Sequence, residues 1–251
     1  MTASIKLTDV SKRFRINLGS SFLARLVLDR LKSRGPRTRD HWALKNIDLE
    51  IGAGESVGII GTNGSGKTTL LSLIAGTMYP TSGRVEVSGR VGSLLELGAG
   101  FHPDLTGIEN IYLNASLLGL SRAEVEERLD SIIAFADIGE YIDAPLNTYS
   151  SGMYARLGFA VVAHIDPEIL LIDEVFAVGD ASFTEKSERA IRRFIDRGCT
   201  FLLVSHGVGQ VQRMCQKAAW IDQGRLVAYG PSEEVCTRYI TALRSGAPAP
   251  T

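Results

Sequence analysis

What this sequence lacks narrows it before any motif is read. No apolar run approaches the roughly 20 residues needed to cross a bilayer. The longest, such as FLLV and ILLI, have the length of strands, so any membrane role is expected to run through a partner. Cysteine is scarce: Cys199, Cys215 and Cys236 are odd in number, lack metal-ligand spacing and accompany no signal peptide, and read as reduced thiols without chemistry. An excess of charge is missing too, with 27 Lys and Arg against 28 Asp and Glu for a net charge of −1. That balance argues against a surface built as an electrostatic trap for nucleic acid. What is abundant is apolar surface: 45% hydrophobic residues over 251 positions suffice for a sizeable core in one domain or two small ones.

The chain opens with IKLTDV, which alternates like a strand, and a second strand-like stretch, ALKNIDLEI, runs from Ala43 to Ile51. Between them, residues 21–40 space Phe22, Leu23, Leu26, Val27 and Leu31 as one face of a helix, with six Lys or Arg against two Asp. The expectation is a short basic amphipathic helix over 22–34, packed on the body or touching a membrane surface or membrane subunit. Next come the strand SVGIIG, a glycine-rich loop, the helix KTTLLSLIAG, and β structure across RVEVSGRVGSLLEL. Residues 103–165 read as a helical insert of three segments, the second opened by a capping box of Ser121 and Glu124. Thereafter the pattern alternates: strand EILLID, helix FTEKSERAIRRFIDRG, strand TFLLVSH, helix VGQVQRMCQKA and the hairpin-like AAWIDQGRLVAYG. Strands alternating with helices predict a parallel sheet, and the tail SGAPAPT is expected to fray.

The loop GTNGSGKTT carries the strongest single signal. Gly61, Gly66, Lys67 and Thr68 satisfy G-x-x-x-x-G-K-[ST], with the required strand before and helix after. Successive backbone N–H groups and a helix N-terminus form a positive concavity for phosphates; Lys67 adds charge at the β and γ phosphates and Thr68 a hydroxyl for Mg²⁺. About a hundred residues on, ILLIDE runs an apolar strand into two carboxylates: Asp173 for the Mg²⁺ shell and Glu174 to polarise the attacking water. YSSGM, residues 149–153, places hydroxyls at a helix head, and a simple cap explains it as well as an anion site does.

Taken in order, GTNGSGKTT, YSSGM, LLIDE, Asp180 in VGD and His206 at a strand end resemble the ATP-binding subunits of ABC transporters over nearly the whole chain. The resemblance implies an α/β fold with a P-loop NTPase (RecA-like) core, an N-terminal antiparallel β subdomain, and an α-helical subdomain inserted before the Walker B strand. It implies one domain over 1–245, with the core and β subdomain at about 1–102 and 166–245, the helical subdomain at about 103–165, and 246–251 as a flexible tail. ATP would be held by Gly61, Thr62, Asn63, Gly64, Ser65, Gly66, Lys67, Thr68 and Thr69. Ser150, Ser151 and Gly152 would stand where the family's signature stands and complete the site of a second copy, so that two chains sandwich two ATP molecules. Asp180 would lie at that interface, His206 would contact the γ-phosphate, and Phe14 or Trp42 would stack on adenine.

The phrases WALKNI, LLELGAGFHPDLTGIENIYLN, YSSGMYARLGFAV and LLIDEVFAVGDASF are similar to one branch of the family, the exporters of bacterial polysaccharides such as O-antigen, capsule and teichoic acid. Two departures from the general pattern fit that branch: the signature is YSSGM, and Glu96 is the nearest polar residue where a glutamine usually approaches the metal. Glu96 could bind Mg²⁺ or face the membrane subunit. The resemblance implies a peripheral subunit on the cytoplasmic face of the inner membrane, a homodimer beneath two copies of an integral membrane permease, with the glycan reached through the permease. Export of another substrate, import of small solutes, and a soluble ABC-type ATPase acting on nucleic acid remain as alternatives. The last is disfavoured because the chain has a single cassette and no heptad run. The chain stops without the second domain that some exporters use to read the glycan end, so carbohydrate recognition is expected elsewhere.

Overall fold

The computed structural model describes residues 4–17, 38–94, 100–173, 181–205 and 207–245. The basic segment 22–34 and the tail from 246 lie outside them, as do Glu96, Glu174, Asp180 and His206.

The two strand-like openings become long partners. β1 (Ser4–Asn17) pairs antiparallel with β2 (Thr38–Ile51), and β4 (Ser82–Ser88) adds to the other side of β1, giving a three-stranded sheet. The β1–β2 register shifts at Leu7/Val10, Val10/Lys12 and Lys12/Arg13. Asp9 and Asn46, both at φ 48, take the left-handed turns these bulges need, and the Asn46 side chain donates to Asp9 Oδ1 at 2.6 Å. Short polar side chains tolerate that conformation by bonding locally.

A six-stranded sheet runs in the order β5 (Val91–Ser93), β6 (Ile169–Ile172), β7 (Thr200–Val204), β3 (Ser56–Ile60), β8 (Lys217–Asp222), β9 (Arg225–Pro231). All neighbours are parallel except β8 and β9. Gln223 and Gly224, both at positive φ, form the two-residue turn between those two. Strands β3, β6 and β7 are buried throughout, which explains why they read as unbroken apolar runs.

Alternate side chains of these strands feed two cores. Val57, Ile59, Ile169, Leu171, Leu202 and Val204 meet α1 (Lys67–Ile74) and the inner face of the antiparallel sheet, including Ile5, Leu44 and Ile51. Ile60, Leu170, Ile172, Phe201 and Leu203 meet the helical side, which holds α2 (Gly107–Leu117), α3 (Arg122–Ala136), α4 (Ser151–Val162) and α5 (Ala181–Asp196). Two 3-10 turns, Gly139–Asp143 and Leu146–Thr148, link α3 to α4. The predicted capping box of Ser121 and Glu124 opens α3, and a second, Thr106 with Glu109, opens α2.

Three segments differ from the sequence reading. The β stretch after PTSG divides, β4 joining the antiparallel sheet and β5 the parallel one. Helix α6 (Val208–Met214) ends before Gln216 because Ala218, Ala219 and Trp220 are buried as strand β8. A further helix, α7 (Ser232–Ser245), follows β9 and buries Val235, Cys236 and Tyr239. The three cysteines are buried and free, as expected; burial pushes the thiols of Cys199 and Cys215 up to about 12, which leaves them protonated and inert.

Candidate functional site

Strand β3 stands in the middle of the parallel sheet, and at its C-terminal end the chain turns through Gly61–Gly66 into α1. Ligands in open α/β sheets sit at that end of the strands. Two glycines are required there by close approach. A Cβ on Gly61 would stand 2.1 Å from the Ile221 carbonyl oxygen, and one on Gly66, at φ 111, would stand 2.5 Å from that of Ala43. Gly66 is also the N-cap of α1, so the free N–H groups of the first helical turn open into the loop.

Lys67 is the first residue of α1 and only 6% exposed. Its ammonium donates to the carbonyls of Gly61 and Thr62, each at 2.9 Å, so the loop curls around the charge. Burial holds the amine below the usual lysine range, partly offset by the carboxylate of Asp173. The Thr68 hydroxyl donates to Asp173 Oδ2 at 3.3 Å, joining residues 105 positions apart. Asp173 follows β6 and so reaches the same end of the sheet from a strand two places away.

A cleft of about 350 Å³ opens over these groups, lined by Asn63, Gly64, Gly66, Lys67, Thr68, Thr69, Asp173, Val204 and, from the antiparallel sheet, Phe14, His41 and Ala43. Phe14 pairs with His41 and Arg13 with Trp42, so the two pairs occupy opposite faces of the ribbon. Phe14 is thereby at the cleft. Trp42 is not among the lining residues; it lies under the Arg13 guanidinium, 5.5 Å from its ring, with Asp40 bonded to the same arginine at 2.9 Å. His41 was missed in the sequence. Only the register, which a bulge between Lys12 and Arg13 sets, could have placed it opposite Phe14.

The residues fit a nucleoside triphosphate and its metal. Gly64 at the cleft has open space beside its backbone, and Ser65 Oγ is buried without a hydrogen-bond partner among the described residues. The Thr68 hydroxyl and Asp173 carboxylate are hard oxygen donors of the kind Mg²⁺ takes beside substrate phosphates. Ser150 caps α4, accepting from Met153 N at 3.2 Å, and Ser151 is exposed beside it. None of Ser150, Ser151 and Gly152 lines the cleft of its own chain.

A glycine cradle with a buried lysine, closing a central parallel strand and facing a hydroxyl–carboxylate pair, defines a P-loop nucleotide-binding fold. The chain belongs to the ABC transporter family, whose model matches residues 44–177. It is 50% identical over 205 residues to the O-antigen export system ATP-binding protein RfbB of Klebsiella pneumoniae, covering 82% of this chain and 83% of that one. It is 54% identical over 201 residues to the protein of the same name from Myxococcus xanthus, spanning 80% of this chain but only 46% of that protein. The teichoic acids export ATP-binding protein TagH of Lactococcus lactis is 44% identical over 82% of this chain and 44% of its own length. Among solved structures, an ATP-binding subunit of an ABC transporter superposes with a TM-score of 0.73 at 21% identity, covering 94% of this chain and 92% of that one. A dimeric ATP-binding cassette in a post-hydrolysis state, bound to ADP and Pi, gives 0.72 at 22% identity, covering 91% and 98%.

Proposed function

We propose that this chain is the ATP-hydrolysing subunit of an exporter that moves a bacterial polysaccharide, O-antigen or a similar glycan, across the inner membrane. The observation that carries the ATPase reading is the cleft itself: Lys67 inside its glycine loop, with the Thr68–Asp173 pair at the same sheet end. The polysaccharide reading follows the names of the relatives at 44–54% identity.

In this reading the loop amides Thr62–Thr69 and the N-terminus of α1 bind the phosphates. Lys67 exchanges its two carbonyl contacts for phosphate oxygens. Thr68 and Asp173 would hold Mg²⁺, with Glu96 as a further candidate, and the ion would neutralise phosphate charge when bound. Glu174 orients a water and draws on its proton while His206 holds the γ-phosphate. The water oxygen bonds to the γ-phosphorus, the bond to the β-phosphate oxygen breaks, and ADP and inorganic phosphate leave. Ser150, Ser151, Gly152 and Asp180 act across a homodimer, each chain completing its partner's site.

The helical segment 103–165 acts as a subdomain against a core built from 1–102 and 166–245, with 246–251 as a tail. No helix among the described residues is long and apolar enough to cross a membrane. By analogy with the export ATP-binding relatives, the dimer is proposed to stand peripherally at the cytoplasmic face, beneath two copies of a permease that carries the glycan.

Phe14 is assigned the adenine platform because it faces the cleft. Phe14→Ala is expected to weaken ATP binding by about 5- to 100-fold, the value of one stacked base, while Trp42→Ala leaves it within about twofold; titration with a fluorescent ATP analogue reads both. The transport reading is tested in cells by replacing the gene with its Glu174→Gln form. Surface polysaccharide is expected to vanish and glycan to accumulate inside. Normal surface glycan with an inactive ATPase would refute the export role.

A further inference from the structure

The segment entering α4 is fixed to the start of α2. Thr106 and Pro145 form an isolated antiparallel bridge. Leu146 N donates to the Leu105 carbonyl at 3.0 Å and Asn147 N to that of Pro103 at 2.9 Å. The loop receiving these bonds is itself pinned by Asn110, fully buried in α2. Its Nδ2 donates to the carbonyls of His102, Leu105 and Thr106, and its Oδ1 accepts from His102 N at 2.7 Å. The chain arriving at residue 149 is thus referenced to a rigid helix.

Tyr149, immediately before Ser150, adds the last tie. Its hydroxyl donates to the Tyr141 carbonyl at 2.6 Å, in the 3-10 turn Gly139–Asp143. A Cβ on Gly107, the first residue of α2, would stand 2.3 Å from the Tyr149 hydroxyl oxygen and 2.8 Å from the Ile142 carbonyl. Gly107 is not among the positive-φ residues, so space and not backbone freedom demands the glycine. The phenol oxygen therefore sits where three pieces meet: the turn, the head of α2 and the entry to α4.

We propose that Tyr149 is a positioning residue for the signature segment. Its hydroxyl, seated between Gly107 and the Tyr141 carbonyl, sets where Ser150, Ser151 and the N-terminus of α4 stand when they meet the nucleotide of a second copy. The proposal rests on the ATP-sandwich reading above. A phenyl ring would fill the same volume, and what the hydroxyl adds is direction, since a hydrogen bond weakens steeply off its axis. Burial raises the phenol to about 12, so it remains a donor at neutral pH. The Tyr141 carbonyl also accepts from Ala144 N at 2.9 Å. Removing the hydroxyl thus orphans no acceptor, and the cost to the fold is small.

The test compares wild type, Tyr149→Phe, Gly107→Ala and the double variant in the full chain, with MgATP as ligand. Tyr149→Phe is expected to keep its melting temperature within a few degrees and its ATP affinity at low protein concentration within about twofold. It should need about tenfold more protein to dimerise and turn over, the effect of losing one hydrogen bond of average strength. Gly107→Ala should shift the same midpoint, and the double variant should show less than the sum of the two effects, because the clash with the phenol oxygen is gone while that with the Ile142 carbonyl remains. Dimerisation and turnover of Tyr149→Phe at the wild-type protein concentration would overturn the proposal. So would a lowered turnover with an unchanged concentration midpoint, which is the mark of a merely damaged fraction. If wild type binds ATP but never dimerises, the sandwich reading fails first and takes the proposal with it.

Discussion

Glu174→Gln is expected to bind MgATP, to lose about 10²- to 10⁴-fold of turnover, and to migrate as a stable dimer of the chain. The amide keeps the shape of the carboxylate but cannot accept a proton from the attacking water, and general-base catalysis contributes a factor of that order. It also removes one negative charge beside the triphosphate, so the closed dimer loses its exit through hydrolysis and gains from reduced repulsion. Phosphate release and size-exclusion chromatography with MgATP read the two halves of the expectation. A variant that stays monomeric and still hydrolyses ATP would remove Glu174 from the catalytic role and, with it, the account of LLIDE and YSSGM given above.

The second large effect is at Lys67. Its ammonium is buried, and two 2.9 Å bonds to Gly61 and Thr62 hold the loop around it. Lys67→Ala removes a charge aimed at the phosphates. Charge-assisted bonds are worth about 1.5–3 kcal/mol each, and losing two of them lowers ATP affinity by about 10²- to 10⁴-fold. The free chain should be far less affected, because the lysine is itself costly to bury. The sign can be checked by pH. With burial holding the folded amine below the ordinary lysine range, the unfolded chain binds more protons in the window between the folded and the ordinary value. Stability of the free wild type therefore rises with pH through that window. Lys67→Ala abolishes this rise, which denaturant unfolding at a series of alkaline pH values approaching the ordinary lysine range would reveal. Unaltered ATP affinity in the variant would sink the assignment of the cleft.

Much of the site was legible because it is local. Gly61 to Thr69 are contiguous, so a phosphate-binding loop can be read without knowing what lies next to it. The capping box at Ser121 and the β8–β9 turn were legible for the same reason. The second box, Thr106 to Glu109, carried the same T-x-x-E signal and was passed over within a segment read only as helical. Helix α7 was hidden because its apolar residues, Val235, Cys236 and Tyr239, are few and follow a hairpin whose end is set by pairing with β8. The end of α6 was similarly decided by the strand that follows, since Gln216 and Lys217 do not oppose a helix until Ala218–Ile221 are claimed by the sheet.

The sequence by itself determined the phosphate loop, the apolar strands of a parallel sheet and the order of motifs that marks the family, because each depends on neighbours along the chain. Only the tertiary structure decided that Thr68 meets Asp173, that Phe14 and His41 face the cleft over the glycine loop while Trp42 faces away, and that the Tyr149 hydroxyl fits against Gly107. These depend on strand order, on a bulge that reverses which face a side chain takes, and on an atom-scale gap between distant segments. A one-residue change of register moves every side chain to the other face, and that register is fixed by packing across the whole sheet and not by any local run of residues.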